Sequence, residues 1–112
     1  MDLGLEVEDR NDFTVLSVRG EVDVYTAPRL REKLVELVSE GKHKIVVDLE
    51  GVDFLDSTGL GTILGALRRV RTNGGDLRIV STQAGIARLF EITGLDKALP
   101  LLPTLDAAVA GG

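Results

Sequence analysis

The chain has 112 residues, the usual size of one domain, and 44% of them are hydrophobic while only 4% are aromatic, so Leu and Val must fill the core. A net charge of −5 argues against electrostatic binding to nucleic acid or to an anionic membrane. The absence of cysteine excludes disulfides and thiolate metal sites, and no apolar run approaches the roughly 20 residues of a membrane span. We expect one domain over residues 1–112, without a signal peptide, in the cytoplasm.

Alternating apolar residues predict a β-hairpin at the start of the chain. Leu3, Leu5 and Val7 alternate with polar or small residues, a turn cluster covers 9–12, and 13–19 alternate again, with Gly20 closing the second strand. A helix follows, with Pro28 in its first turn and Gly41 as its C-terminal cap. One face of this helix is apolar: Ala27, Leu30, Leu34, Leu37 and Val38.

The second half of the chain alternates strands and helices. A strand at 45–49 is apolar on both faces apart from Asp48, as a central parallel strand is, and an acidic loop follows it. The remaining predicted elements, in order, are a helix from Ser57 to the stop at 73–75, a strand at 77–80, a short helix capped by Thr82 and closed by Gly94, a minor strand at 99–102, and a last helix from Thr104 to about Ala110. The order β-β-α-β-α-β-α-(β)-α predicts an α/β fold, with a mixed, largely parallel sheet of four or five strands and about four helices.

The most informative segment runs from Asp48 to Gly61, where the acidic loop leads into a glycine-bearing helix start. Two hydroxyls, on Ser57 and Thr58, lie where the helix begins. A hydroxyl at this position caps the helix in many proteins, a role worth about 1 kcal/mol. The same position also favours a phosphate, because the first turn carries unpaired N–H groups and a partial positive charge. A phosphate here sharply changes the local charge without unfolding the domain.

No catalytic constellation is present in the sequence. The one histidine, His43, lies between two lysines in a polar turn, and Leu55 stands where a nucleophile elbow needs its first glycine. The glycines of 59–65 do not have the spacing of a dinucleotide fingerprint, and close helix–sheet packing explains Gly61 and Gly65 better. The acidic residues also lack the spacing of a metal loop. We therefore expect neither an enzyme nor a cofactor or metal site.

Loops that leave neighbouring parallel strands gather at one edge of the sheet. The loop at Asp23 and the loop before Ser57 are therefore expected to be neighbours, and with Asp53 and Asp56 they form an acidic surface suited to a basic protein partner. Asp23 is expected to face a basic residue of that partner. Its carboxylate also suits the start of the following helix, and the two roles are compatible.

Three separated segments resemble the bacterial anti-sigma factor antagonists (anti-anti-sigma factors) of the STAS domain family. The run Asp56–Gly61 is similar to their phosphorylation motif, Gly20–Pro28 to their first-loop motif and Ile86–Leu95 to their third-helix segment. The resemblance covers about Leu3 to Val109, with the motifs in family order and spacing, and it is nearest to the stand-alone members of the family.

The resemblance implies a partner switch. The partner is an anti-sigma factor with a histidine-kinase-like ATPase fold that phosphorylates Ser57 as a serine kinase. The unphosphorylated antagonist binds this kinase and releases the sigma factor, and a PP2C-type phosphatase restores the unmodified form. The free chain is expected to be a monomer. The implied partner-binding residues are Asp23, Tyr25, Asp56, Ser57, Thr58, Gly59, Leu60 and Gly61.

Two alternatives stay open from the sequence. Thr58 competes with Ser57 as phosphate acceptor, because its hydroxyl is one residue away, although the resemblance places the acceptor directly after Asp56. The alternative function is a STAS-type scaffold or sensor whose rim binds a small molecule or nucleotide and acts on another partner. The sequence names neither the sigma factor, the kinase nor the phosphatase.

Overall fold

The computed structural model describes residues 3–110, and the predicted domain of residues 1–112 stays a prediction because Met1, Asp2, Gly111 and Gly112 lie outside the described residues. The described chain forms five strands and four α-helices in the order predicted, which confirms the mixed α/β fold with its fifth strand present. The elements are β1 (Leu3–Arg10), β2 (Phe13–Val22), α1 (Ala27–Ser39), β3 (Lys44–Leu55), α2 (Ser57–Thr72), β4 (Asp76–Val80), α3 (Ala84–Thr93), β5 (Leu101–Leu102) and α4 (Leu105–Val109). A single 3₁₀ turn in residues 3–110, Leu95–Lys97, follows Gly94, and the sequence did not predict it.

The strands of residues 3–110 lie in the order β1-β2-β3-β4-β5. The hairpin β1–β2 is antiparallel, whereas β2, β3, β4 and β5 pair in parallel, as helical crossovers require. Ile45 and Val47 of β3 pack with α1, α2 and α3 on one face of the sheet. Val46 packs with Phe13 and Val109 of α4 on the other face, so β3 is buried on both faces as its sequence predicts.

The apolar stripes of α1 and α2 turn toward the sheet. Leu30, Leu34 and Ile63 are almost completely buried, and each contributes about 1.5–3 kcal/mol through the transfer of its side chain from water. Gly41 follows α1 with φ of +87°, and the N–H groups of Gly41 and Lys42 donate to the carbonyls of Val38 and Leu37, each at 3.0 Å. This closure confirms the predicted C-terminal cap of α1.

Both strands that lead to the candidate site are longer than their sequence indicates. Gly20 does not close β2: it pairs with Leu3 and with Val52 at φ of +108°, and the strand continues to Val22. The predicted acidic loop after Leu49 is largely the second half of β3, which continues to Leu55. Irregular pairing between β2 and β3 near Gly51 shifts the register, so the alternation is interrupted while the pairing continues.

The start of α3 is also held differently from the prediction. Thr82 is not its N-cap, because the helix begins after Gln83. The hydroxyl of Thr82 instead donates to the Glu50 carboxylate at 3.0 Å, and its N–H donates to the same carboxylate. The side-chain amide of Gln83 donates to the carbonyls of Glu50 and Val52. These bonds fasten the β4–α3 connection to the irregular part of β3.

Candidate functional site

Two neighbouring loops meet at the carboxyl end of the parallel strands, as the sequence predicts. Val22, the last residue of β2, lies opposite Leu55, the last residue of β3. The backbone N–H of Asp56, the residue after Leu55, donates to the carbonyl of Val22 at 3.2 Å. The loop that begins at Asp23 and the start of α2 at Ser57 are therefore fixed side by side.

Asp56, rather than a hydroxyl, caps α2. Its backbone is extended (φ −105°, ψ −174°), and its Oδ1 accepts from the N–H groups of Thr58 at 2.9 Å and Gly59 at 3.1 Å. Capping, the alternative role for Ser57 or Thr58, is thus excluded, because the carboxylate one residue earlier already satisfies these N–H groups. Capping therefore does not account for the serine at this position.

The hydroxyl-bearing residues lie on the surface, and the residues behind them support the helix start. Ser57 and Thr58 are exposed, whereas Gly59 and Leu60 are buried. A Cβ on Gly59 would lie 2.5 Å from Val22 Cγ1 and 2.5 Å from Leu55 Cδ1. Only a residue without a side chain lets α2 begin this close to the ends of β2 and β3.

The interpretation of Gly61 and Gly65 as helix–sheet packing residues is wrong. Gly61 is exposed, and a Cβ built on it meets no heavy atom within 4 Å. A Cβ on Gly65 would meet only the Arg69 guanidinium, at 3.4 Å. Both glycines line an open groove beside Thr58 and Arg31 on the outer side of α1 and α2. The glycine required by packing is Gly59.

Asp23 is bonded within its own turn. Its Oδ1 accepts from the N–H of Tyr25 at 2.9 Å and from the N–H of Thr26 at 3.0 Å. Its pKa lies below the ordinary aspartate value, first because of the hydrogen bond from the Thr26 N–H and then because of that from Tyr25, with some opposition from desolvation. The carboxylate thus remains ionised at neutral pH and organises the β2–α1 connection.

The remaining acidic residue of the predicted surface lies to one side. Asp53 is exposed on β3 and lines a groove of about 590 Å³ against α3, together with Phe54, Gln83 and Ile92. Asp23 and Asp56 are joined more directly, since each belongs to a segment that leaves Val22 or Leu55. The acidic surface therefore has two members around Ser57 and a third toward α3.

Exposed apolar side chains around this end of the sheet were not singled out from the sequence. Val24 is 57% exposed beside Tyr25, which is 86% exposed, whereas Phe54 (49%) and Ile92 (70%) line the groove toward α3. A signal for two of them was present, because Val24 and Tyr25 lie between the turn-forming residues Asp23 and Thr26. Adjacent exposed apolar side chains such as Val24 and Tyr25 are typical of a protein-binding surface.

Metal-binding clusters and membrane-spanning helices are both absent from residues 3–110. These residues contain no group of three or more histidine, aspartate or glutamate side chains placed to hold a metal ion. The helices of this part of the chain include none that is long and apolar enough to cross a membrane.

The chain is similar to known proteins over nearly its whole length. A family model described as "STAS domain" matches residues 4–108. An anti-sigma-B factor antagonist of Staphylococcus epidermidis is 44% identical over 95 residues, which cover 85% of this chain and 88% of that protein. These findings confirm the resemblance that the three motifs carry.

Solved structures agree with this. The crystal structure of an anti-sigma factor antagonist from Mycobacterium paratuberculosis has a TM-score of 0.89 and 34% identity, and the alignment covers 96% of this chain and 92% of that one. The Bacillus cell fate determinant SpoIIAA in its phosphorylated form has a TM-score of 0.72 and 22% identity, with 93% and 96% covered. At that identity, the second likeness concerns the fold.

Proposed function

The chain belongs to the STAS domain family, whose model matches residues 4–108, and on this premise we propose that it is an anti-sigma factor antagonist that phosphorylation of Ser57 switches off. In its unphosphorylated form it binds an anti-sigma factor that is also a serine kinase with a histidine-kinase-like ATPase fold, and so releases the sigma factor. A PP2C-type phosphatase returns the phosphorylated chain to its binding form. The chain acts as a binding protein and a kinase substrate, not as an enzyme.

The observation that carries the proposal is the exposed hydroxyl of Ser57 beside a carboxylate that already caps the helix. Asp56 occupies the N–H groups of Thr58 and Gly59, so these two donors are already satisfied. A phosphoserine adds a charge of about −1.5 to −2 at this point, next to the Asp56 side chain and near Asp23. A partner that fits the unmodified surface has no group placed to pair with this added charge, so binding then carries the uncompensated cost of desolvating the phosphate.

In this proposal, phosphorylation of Ser57 changes the fold little. Ser57 is exposed, and its neighbours Gly59 and Leu60, which are buried, hold the helix start against β2 and β3. The modified group therefore projects from a firmly packed base. SpoIIAA, whose fold this chain shares, is known in both an unphosphorylated and a phosphorylated form.

The partner surface in this proposal has two parts. Asp23 and Tyr25 of the β2–α1 connection form one part, and Asp56 to Gly61 at the start of α2 form the other. Within the second part, Ser57, Thr58 and Gly61 offer exposed surface, while the buried Gly59 and Leu60 set the position of the exposed residues.

Variants of Ser57 test the proposal with the candidate kinase purified from the same organism. Ser57→Ala is expected to bind the kinase with wild-type affinity and to keep that affinity after incubation with ATP, whereas the wild-type chain loses it. Ser57→Glu is expected to bind at least about tenfold more weakly, because a carboxylate is placed beside Asp56. Ser39→Ala is the matched control, since Ser39 is exposed at the far end of α1. Equal loss of binding by Ser57→Ala and wild type after ATP treatment would refute the switch.

A further inference from the structure

The tip of the β2–α1 connection presents two apolar side chains to solvent. Val24 is 57% exposed and Tyr25 is 86% exposed, between the buried residues Val22 and Thr26. A tyrosine stabilises an interface most when its ring is buried and its hydroxyl keeps a polar partner. Tyrosine is also among the residues that contribute most to binding at protein interfaces. The tip therefore has the composition of an anchor.

A pair of side chains fixes the backbone on both sides of this tip. The buried hydroxyl of Thr26 donates to the carbonyl of Glu21 at 2.7 Å and accepts from the N–H of Asp23 at 2.9 Å. The Asp23 carboxylate accepts from the N–H groups of Tyr25 and Thr26, and the Asp23 carbonyl accepts from the N–H of Ala27 at 2.8 Å. A loop held in this way loses little conformational freedom when a partner binds it.

The tip is also rigidly connected to the modification site. Val22 precedes it directly, accepts a hydrogen bond from the Asp56 N–H, and packs where a Gly59 side chain would otherwise lie. A partner that covers Ser57 at the start of α2 thus meets the Val24–Tyr25 tip at a fixed position. The tip is continuous with the surface proposed above.

We propose that Val24 and Tyr25 form the apolar anchor by which the chain docks on the anti-sigma kinase, and that Asp23 and Thr26 are positioning residues that hold this anchor. The inference rests on the proposed function and specifies its interface. The partner must offer an apolar cleft that receives the tyrosine ring. The Asp23 oxygen acts as an acceptor for backbone N–H groups, so its hydrogen bonding matters more than its charge.

Substitutions at the tip test the anchor against the purified candidate kinase by isothermal titration calorimetry. Tyr25→Ala is expected to weaken binding at least tenfold with little change in melting temperature, because the side chain is mostly exposed. Val7→Ala is the matched control: its side chain is 44% exposed on β1, outside the proposed partner surface, and its affinity is expected to stay within about threefold of wild type.

Conservative variants separate positioning from charge. Asp23→Asn keeps a side-chain oxygen and is expected to retain wild-type affinity within about threefold, whereas Asp23→Ala removes the acceptor and is expected to lose about tenfold. Thr26→Ser keeps the hydroxyl and is expected to bind as wild type, while Thr26→Ala weakens binding. If Asp23 acted through a charge pair with the partner, Asp23→Asn would lose affinity. Wild-type affinity in Asp23→Asn and Thr26→Ser therefore supports the positioning role.

The outcomes that overturn the inference are distinct from those that overturn the proposed function. If wild type binds the kinase and Ser57→Glu loses affinity, but Tyr25→Ala binds as tightly as wild type, the anchor is wrong and the switch stands. If Asp23→Asn loses as much affinity as Asp23→Ala, the carboxylate acts through its charge and the positioning role is wrong. If the unmodified wild-type chain does not bind the kinase, the proposed function fails, and the inference fails with it.

Discussion

Two glycines of α2, only two residues apart, are expected to respond oppositely to the same substitution. In Gly59→Ala the new methyl group lies 2.5 Å from Val22 Cγ1 and from Leu55 Cδ1, both on buried side chains that belong to packed strands. Overpacking of this kind costs about 1–3 kcal/mol, of which the better helix propensity of alanine offsets up to about 1 kcal/mol. We expect Gly59→Ala to lower the free energy of unfolding by about 1–2 kcal/mol.

Gly61→Ala has the opposite expectation, because its methyl group meets no heavy atom within 4 Å. Only the propensity term remains, so the free energy of unfolding rises by about 0.5–1 kcal/mol. For a domain of this size, 1 kcal/mol corresponds to about 4 °C in melting temperature. Thermal and urea unfolding followed by circular dichroism measure both variants. A shift of the same sign in the two variants would refute the assignment of Gly59 as the packing glycine.

Gly61→Ala also probes binding, since a more stable variant that binds the kinase less well places Gly61 in the partner surface.

Two further perturbations follow from the same end of the sheet. Asp56→Ala removes the cap of α2 and is expected to cost about 1 kcal/mol in urea unfolding, while Asp56→Asn keeps an acceptor and stays within about 0.5 kcal/mol of wild type. Equal losses in both variants would contradict the capping role. The pKa of folded Asp23 is lowered, chiefly by the Thr26 N–H, so its ionisation stabilises the fold above the ordinary aspartate pKa, and this contribution is lost as the pH falls through the lowered value. As the pH falls below about 4, the unfolding free energy of wild type is therefore expected to fall relative to that of Asp23→Asn. If the difference between the two stays constant between pH 3 and 6, the ionised Asp23 carboxylate does not stabilise the fold in this way.

The sequence predicts the elements of this fold well, because their signals are local. The apolar stripes of α1 and α2, Gly41 after α1 and Thr104 before α4 all act where the sequence indicates, and Thr104 Oγ1 accepts from the Ala107 N–H at 3.0 Å. The position of Ser57 at the start of α2, beside the Asp23 loop, was also predictable, since parallel strands bring their following loops together.

What the sequence did not show depends on contacts between distant residues. The second half of β3 has no regular alternation, because the irregular pairing near Gly51 changes which residues face the core. The role of Gly59 depends on side chains of β2 and β3, and the role of Thr82 depends on Glu50, 32 positions away. The sequence does not identify the cap of α2 for a simpler reason: Asp56, Ser57 and Thr58 are all good capping residues, and only the backbone conformation decides among them.

Phosphate mapping tests the central claim most directly. The wild-type chain, Ser57→Ala and Thr58→Val are incubated with the candidate kinase and ATP, digested, and analysed by tandem mass spectrometry, with the affinity for the kinase measured before and after. We predict one phosphate on Ser57 in wild type and in Thr58→Val, none in Ser57→Ala, and loss of binding only where the phosphate is present. Full incorporation into Ser57→Ala, or undiminished binding by the chain phosphorylated on Ser57, would contradict the account.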